Sequence, residues 1–339
     1  MSIILSIDQG GTKTDVLIAD DKGNILGYAN DRDWDPAPHT SVERRAVRMV
    51  RIRHAAGKAV KDAGISLSGI DAVSASCMGA DWDFEYEIGR KNIRNTLGIP
   101  NVELYNDCVG ALRGGTEILG RDCAVLCLGT GANCAVFGRD GKSHIFHYYM
   151  KGIHQGAGAI GNFIFQAVFD AECGLGEETA LTRLLLEETG YPTVDELHRV
   201  ITTGRTEHEK PNRPVYQQYS PLLFRAIAEG DKIAINYLDW LCKELVEYVA
   251  IGARKVSIGS REFTVVLSGG VPKGGDIMYE RLQHFLKARL PGTRCVDAKL
   301  EPVAGAMLLG YDRIYPGGTP SDVLGNLEEN SAKRGLTRR

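Results

Sequence analysis

Residues 3–19 read IILSIDQGGTKTDVLIA: a buried-strand pattern, a Gly/Thr turn and a second strand. Residues 14–20 alternate as a strand does, so the glycines lie in a hairpin and do not open a helix. A second tight turn follows at residues 21–24. The arrangement returns at residues 123–137, CAVLCLGTGANCAVF, with its own second turn at 139–142. The chain therefore contains a duplicated strand–turn–strand unit.

Both Gly/Thr turns have the chemistry of phosphate-binding elements. A glycine turn can approach a phosphate closely because no Cβ obstructs it, and its backbone N–H groups can point at the oxygens. Thr12 and Thr130 add hydroxyl donors. A dinucleotide-binding loop would have to open a helix, and a Walker-type loop would need Gly-Lys-Ser/Thr, so neither fits. Asp8, at the end of the first strand, is suited to hold Mg²⁺ through waters.

The remaining pattern of the first half predicts the order βββαβαβα. Thr40-x-x-Glu43 reads as a capping box that opens a helix to about residue 63. Buried strands are predicted at 70–76 and 102–105, each followed by a helix. The second half repeats this order with a helical insertion at about 158–259. The fold class is therefore a duplicated α/β architecture with a cleft between its halves, and ligands are expected at the carboxyl ends of the strands.

Composition excludes several classes of function. The 339 residues are 43% hydrophobic and 24% charged, which is typical of a soluble globular protein. A net charge of −3 favours neither nucleic acid nor a membrane surface. No apolar run approaches the ~20 residues that span a bilayer, and no leader pattern precedes the first strand, so a cytoplasmic location is expected. The eight cysteines include Cys123 and Cys127 on one face of a strand, interpreted as reduced thiols.

Four motifs in order carry a family resemblance. Residues 8–14, DQGGTKT, resemble the first phosphate motif of the actin-like ATPase superfamily, and residues 128–133, LGTGAN, resemble the second. Residues 267–271, LSGGV, are similar to the adenosine motif. Residues 302–306, PVAGA, are similar to the closing helix, whose small residues allow tight packing. The resemblance is closest to the N-acetylglucosamine kinase branch of the BadF/BadG/BcrA/BcrD ATPases.

The resemblance implies two ribonuclease H-like domains that bind ATP and Mg²⁺. Residues 1–118 would form the N-terminal domain and residues 119–315 the C-terminal domain with the insertion, whereas composition predicts a loosely held tail at 316–339. Dimers are common among such relatives, so a homodimer is expected. The residues expected to bind ATP are Gly10, Gly11, Thr12, Lys13, Thr14, Gly129, Thr130, Gly131, Asn133, Ser268, Gly269 and Gly270, with Asp8 at the metal.

Asp107 is the candidate catalytic residue. It ends a strand and precedes a helix, and kinases of this superfamily have an aspartate there as general base toward the acceptor hydroxyl. A carboxylate can accept that proton while Mg²⁺ and the phosphate turns stabilise the transferred group. The alternative is that Asp107 caps the helix, as aspartate often does.

The acceptor side is predicted from aromatic residues beside carboxylates, which suit a polyol. The alternative is that these are packing residues and surface charges. Residues 155–159, QGAGA, lack the acidic pair that amino-sugar kinases of this branch carry, which leaves the sugar open. The candidates are Trp34, Asp35, Asp81, Trp82, Asp83, Asn106, His154 and Gln155. Arginines 44, 45, 48, 51 and 53 are interpreted as the solvated face of one helix.

The leading hypothesis is an ATP-dependent kinase of a sugar hydroxyl, with an amino sugar such as N-acetylglucosamine or glucosamine favoured by the resemblance. A second hypothesis is a BadF-type activator ATPase that drives a partner enzyme and holds an iron–sulfur cluster between subunits. A kinase for another sugar or polyol and a non-catalytic sugar sensor are further alternatives. ATP turnover that depends on an acceptor would separate these hypotheses.

Overall fold

The computed structural model describes residues 2–32, 41–115, 120–150, 156–203 and 215–337, with only the backbone of 41–45 and 148. The chain divides into two compact units. The first comprises Met1–Arg121 with Val296–Arg339, and the second comprises Asp122–Cys295.

A five-stranded mixed sheet forms the centre of the first unit. Its strands are β1 (Ile3–Gln9), β2 (Thr14–Asp20), β3 (Ile25–Asp31), β4 (Ala72–Cys77) and β5 (Val102–Asn106), in the order β3-β2-β1-β4-β5. The pairs β1–β2 and β2–β3 are antiparallel, whereas β1–β4 and β4–β5 are parallel. The helices between the strands are α1 (Ser41–Ala63), α2 (Asp83–Leu97) and α3 (Asp107–Arg113). The predicted order βββαβαβα is confirmed.

Strands β1 and β2 are apolar on both faces because helices cover both sides of the sheet. On one face, Leu5 and Val16 pack in a cluster with Ile52 of α1. On the other face, Ile4 and Leu17 pack in a second cluster with residues of the helix at Pro302–Ile314. Polar residues replace apolar ones at the strand ends, and the candidate site residues lie there.

The sheet of the second unit repeats the strand order of the first. Its strands are β6 (Cys123–Leu128), β7 (Ala132–Phe137), β8 (Ser143–Ile145), β9 (Thr264–Ser268) and β10 (Arg294–Asp297), in the order β10-β9-β6-β7-β8. The helices are α4 (Ala157–Glu172), α5 (Ala180–Thr189), α6 (Val194–Thr203), α7 (Pro221–Ala228), α8 (Lys232–Lys255) and α9 (Asp276–Arg289). Five of them lie between β8 and β9, as the predicted insertion requires. The duplicated α/β fold is confirmed.

Helix α10 (Pro302–Ile314) belongs to the first unit, whereas the prediction assigned it to a domain ending at 315. Small residues explain its position, since a Cβ on Gly305 would lie 1.9 Å from the carbonyl oxygen of Gly110 in α3. Serine hydroxyls of the sheet also bond to the helix backbone: Ser6 Oγ donates to the Val303 oxygen at 2.9 Å and Ser74 Oγ to the Ala306 oxygen at 2.6 Å.

The tail differs from the loosely held segment that its composition predicted. It contains α11 (Ser321–Lys333), whose Val323 and Leu327 are buried in one cluster with Ile4 and Leu17. The turn at Gly23 (φ +86°) fits against it, because a Cβ there would lie 2.3 Å from the Val323 carbonyl oxygen. The apolar i, i+4 spacing of Val323 and Leu327 is the signal that the polar composition masked.

None of the helices in the described ranges has the length and apolar character that a membrane span requires. The eight cysteines are free thiols; Cys123 is buried and Cys127 is partly exposed. Residues 204–214, within the predicted insertion, lie outside the described residues.

Candidate functional site

The first phosphate turn joins β1 to β2. The Gly10 amide donates to the Lys13 carbonyl oxygen at 3.1 Å and closes the turn. Nothing lies within 4 Å of a Cβ on Gly10 except that carbonyl, and a Cβ on Gly11 would meet only Met78 Sδ at 3.8 Å. The turn therefore faces open space at its glycines. Thr14 differs: it is fully buried in β2, and its hydroxyl accepts a hydrogen bond from Gln9 Nε2 at 3.2 Å.

Asp8 lies at the carboxyl end of β1, opposite Asp15 on one side and Ser76 on the other. Its side chain is 6% exposed. Burial, with a smaller contribution from the carboxylates of Asp15 and Asp107, raises the pKa of Asp8 to about 7 against the attraction of Lys13. A buried carboxylate that is costly to ionise favours a cation beside it.

Lys13 is held by acidic side chains that the motif did not identify. Its Nζ lies 2.6 Å from Asp15 Oδ2 and 3.9 Å from Glu301 Oε2. Burial lowers the pKa of Lys13, but Asp15, Asp8 and Glu301 outweigh it, so the pKa is above its ordinary value. Asp15 also accepts a hydrogen bond from the Tyr28 hydroxyl at 2.8 Å and another from Asn30 Nδ2. The lysine is thus a fixed positive charge next to the turn.

Asp107 is the first residue of α3 and follows directly on β5. The N-cap position is held by Asn106, whose Oδ1 accepts the Cys108 amide at 3.0 Å, and Asp107 is the acidic residue of the first helical turn. Asp107 is partly exposed. Burial and then Asp81 raise its pKa to about 6, while the amides of Cys108 and Asp107 oppose this.

Asn106 also fixes the turn that follows β4. Its Nδ2 donates to the Ala80 carbonyl oxygen at 3.1 Å and to Asp81 Oδ1 at 2.9 Å, and the side chain is 1% exposed. Asn106 is therefore a scaffold for Asp81 and has no open face for an acceptor. Trp82, by contrast, is 49% exposed, and Asp83 beside it is exposed.

The second phosphate turn is supported by the start of α4. Gly129 N–H donates to the Gly131 carbonyl oxygen at 2.9 Å within the turn. The amides of Ala157 and Gly158 donate to the carbonyl oxygens of Gly129 and Thr130 at 2.8 and 3.0 Å. A Cβ on Gly156 would lie 2.4 Å from the Gly131 carbonyl carbon. Residues 156–158, noted in the sequence only for lacking acids, thus shape this turn.

Asn133, also predicted to contact phosphate, has a structural task. Its Oδ1 accepts the amides of Cys134 at 2.9 Å and His147 at 3.2 Å, which ties the start of β7 to the segment after β8. Thr130 is exposed at the tip of the turn.

The adenosine-type turn follows β9, which runs parallel to β6 with Ser268 paired to Cys127. Gly269 has φ +109°, and a Cβ there would lie 2.1 Å from the Leu128 carbonyl oxygen, so only glycine fits. Gly270 has nothing within 4 Å of its Cβ position. The turn thus presents an open backbone surface at its second glycine.

The BadF/BadG/BcrA/BcrD ATPase family matches residues 5–310. The chain belongs to this family. Its relatives include an N-acetyl-D-glucosamine kinase from Dictyostelium discoideum, 24% identical over 91% of this chain and 98% of that protein. An N-acetylmuramic acid/N-acetylglucosamine kinase from Clostridium acetobutylicum is 23% identical over 91% and 98%. A solved structure of a candidate N-acetylglucosamine kinase from Chromobacterium violaceum has TM-score 0.65, 21% identity and 91% and 99% coverage.

In this BadF/BadG/BcrA/BcrD ATPase, the residues at the first turn fit a metal that arrives with its nucleotide. Throughout the described segments, no group of three His, Cys, Asp or Glu side chains is placed to hold a metal ion. Mg²⁺ keeps several waters and commonly binds one or two carboxylates plus substrate phosphates. Asp8, a single buried carboxylate beside an open glycine turn, has the chemistry for this mode.

Some predicted site residues of this family member have no described position. Trp34, Asp35, His154 and Gln155 lie outside the described residues. Conversely, the structure brings Asp15 and Glu301 to Lys13, which the motif search missed. A usable signal existed for Asp15, because an acidic residue interrupts an otherwise apolar strand that is covered on both faces.

Proposed function

We propose that this protein is an ATP-dependent sugar kinase whose acceptor is an amino sugar such as N-acetylglucosamine or glucosamine. Family membership and the names of two full-length relatives support a kinase. The observation that carries the proposal is Asp107: a partly exposed acidic residue at the first position of α3, directly after β5, whose carboxylate raises the pKa of Asp8. A pKa of about 6 suits a general base near neutral pH.

In the proposed reaction, the acceptor hydroxyl oxygen attacks the γ-phosphorus while the bond to the β–γ bridging oxygen breaks. Asp107 takes the hydroxyl proton, and ADP leaves with the bond electrons. Mg²⁺, when bound at Asp8, neutralises phosphate charge. The amides of the 10–13 and 129–131 turns and the Lys13 ammonium are proposed to bind the phosphates, and Ser268–Gly270 the nucleoside.

On the acceptor side, we propose Trp82 and Asp83 as exposed contacts and Asp81 as a partner fixed by Asn106. An exposed indole offers an apolar face to a sugar ring, and the carboxylates accept hydrogen bonds from hydroxyls. Trp34, Asp35, His154 and Gln155 remain proposed acceptor residues on sequence grounds. A homodimer is likewise a proposal from the resemblance, and a cytoplasmic location is a proposal from the sequence pattern.

The test is ADP release measured across N-acetylglucosamine, glucosamine, galactosamine, glucose, inositols and pentoses, with and without Mg²⁺. Stimulation by one amino sugar supports the proposal. ATP hydrolysis that no acceptor stimulates, together with iron in the preparation, would favour the activator ATPase. Asp195→Asn on α6, far along the chain in the helical insertion and exposed, is a matched control for carboxylate substitutions.

A further inference from the structure

Arg48 of α1 is held at both ends against the strands that form the site. Its carbonyl oxygen accepts a hydrogen bond from Nε2 of Gln9, the last residue of β1, at 3.0 Å. Its Nη1 donates to the Met78 carbonyl oxygen at 3.4 Å, in the turn after β4. A Cβ on Gly79 (φ +75°) would lie 2.7 Å from that Nη1, so the glycine leaves room for the guanidinium.

This position corrects part of the sequence interpretation. Arg53 is exposed as a solvated face requires, but Arg51 is buried and Arg48 is partly buried over the 78–79 turn. The side chains of residues 44 and 45 lie outside the described residues. The basic run on α1 therefore contains both exposed and buried arginines, and Arg48 lies on the side of the candidate site.

Hydrogen bonds connect the turn that Arg48 contacts to the residue before Asp107, the catalytic candidate. Residue 80 follows the turn, and its carbonyl oxygen accepts Asn106 Nδ2 at 3.1 Å. Asp81 accepts the same Nδ2 at 2.9 Å, and Asp107 is covalently next to Asn106. A displacement of the turn would therefore be transmitted to the N-terminus of α3.

The charges around Asp107 are mostly negative. Burial is the main cause that raises the pKa of Asp107 and of the Cys77 thiol; Asp81 adds to the first and Asp8 to the second, and Arg48 opposes both. Because a guanidinium stays protonated in proteins, its charge is constant across the working pH range. Among the described residues, the titratable and charged groups that interact electrostatically with Asp107 include Asp8 from β1, Cys77 from β4, Asp81 from the following turn, Tyr86 from α2 and Arg48 from α1.

We propose that Arg48 is a positioning residue for phosphoryl transfer, which orders the 78–81 turn and keeps a permanent positive charge beside Asp107. This inference rests on the proposed kinase function. Arg48 acts through Asp107 and the turn and is not itself a proton acceptor. A purely structural role would lower activity equally at every pH, whereas a charge beside the base changes the acid limb of the rate profile.

The experiment compares kcat/KM for the best acceptor from pH 5 to pH 8.5 in wild type, Arg48→Met, Arg48→Lys and Arg53→Met. Loss of the charge should shift the acid limb of the rate profile to higher pH by about one unit. Relative to pH 8.5, the ratio of wild type to Arg48→Met should then rise about twofold at pH 7 and about tenfold at pH 5. Arg48→Lys, which keeps a charge but loses the planar fork, should keep the limb near its wild-type position.

Arg53→Met removes an exposed charge from the same helix and should leave the profile unchanged. If Arg48→Met is poorly folded by circular dichroism, Arg48→Gln tests the same loss of charge. An acid limb that coincides with wild type in the neutral variant refutes the role of Arg48, as does an equal shift in Arg53→Met. Absence of acceptor-dependent ADP release from the wild-type protein would instead refute the proposed function, so the two failures are distinguishable.

Discussion

At the scale of single residues, the site depends on carboxylates that burial makes difficult to ionise. Asp8 lies near the end of β1 and Asp107 directly follows β5, two strands that both neighbour β4, and the pKa of each lies well above that of a free aspartate. Their tasks differ because their surroundings differ. Asp8 is buried opposite Asp15 and near Lys13, which suits a metal, whereas Asp107 is partly exposed, which suits proton transfer.

Substitution of the base should abolish most turnover without unfolding the protein. Asp107→Asn removes the proton acceptor but keeps the side-chain shape, and we expect kcat to fall by about 10²–10⁴. In wild type, activity should be lost as pH falls through about 6, because Asp107 becomes protonated there. Steady-state ADP release measures both effects; near-normal turnover in Asp107→Asn would rule out this assignment.

Asp8 should make the ligand-free protein less stable at alkaline pH. Its folded pKa of about 7 is raised above the unfolded value, so its contribution is fully present below the unfolded pKa and is lost as pH rises through 7. Wild type should lose about 2–3 kcal/mol between pH 5 and pH 8 that Asp8→Asn retains. Urea unfolding at both pH values, without Mg²⁺, measures the difference; equal losses in the two proteins would contradict the prediction.

At the scale of elements, glycines decide which helices can approach one another. Gly305 of α10 meets Gly110 of α3, and Gly114 just beyond α3 accepts the amides of Lys299 and Leu300 at 3.1 Å. The sequence motif predicted small residues for tight packing, and this contact bears it out. Asp107 lies on α3, so the crossing also fixes the helix that presents the candidate base.

A methyl group at this crossing should destabilise the first unit. Gly305→Ala would place its Cβ 1.9 Å from the Gly110 carbonyl oxygen, so the helices must separate. We expect a loss of about 1–3 kcal/mol in the free energy of unfolding. Gly325→Ala in α11 is the matched control, since nothing lies within 4 Å there, and it should gain up to about 1 kcal/mol. Chemical denaturation of both variants distinguishes packing from helix propensity; similar midpoints would contradict the argument.

At the scale of the whole molecule, structure that depends on local sequence patterns was predictable, whereas contacts between residues far apart in the chain were not. The hairpins, the βββαβαβα order and the insertion follow from periodicity, turn chemistry and motifs. Glu301 beside Lys13, and Arg48 over Gly79, depend on contacts between residues 288 and 31 positions apart, for which local pattern carries no signal. The polar composition of the tail also predicted a loose segment, whereas the spacing of Val323 and Leu327 indicates a helix with a buried side.

Removal of the tail therefore tests the largest difference between sequence and structure. Ending the chain at residue 316 deletes the buried apolar side chains of Val323, Leu327 and Leu336, the Asn326 bond to the Lys22 carbonyl oxygen at 2.9 Å and the Arg334–Asp62 ion pair. At roughly 1.5–3 kcal/mol for each of these three buried aliphatic side chains, the loss should be about 5–9 kcal/mol. Thermal unfolding should show a clearly lower Tm, with Arg334→Ala alone changing it little because the pair is at the surface. Because Val323 and Leu327 share a buried cluster with Ile4 and Leu17, a truncated chain with the wild-type Tm would contradict a stabilising role for α11.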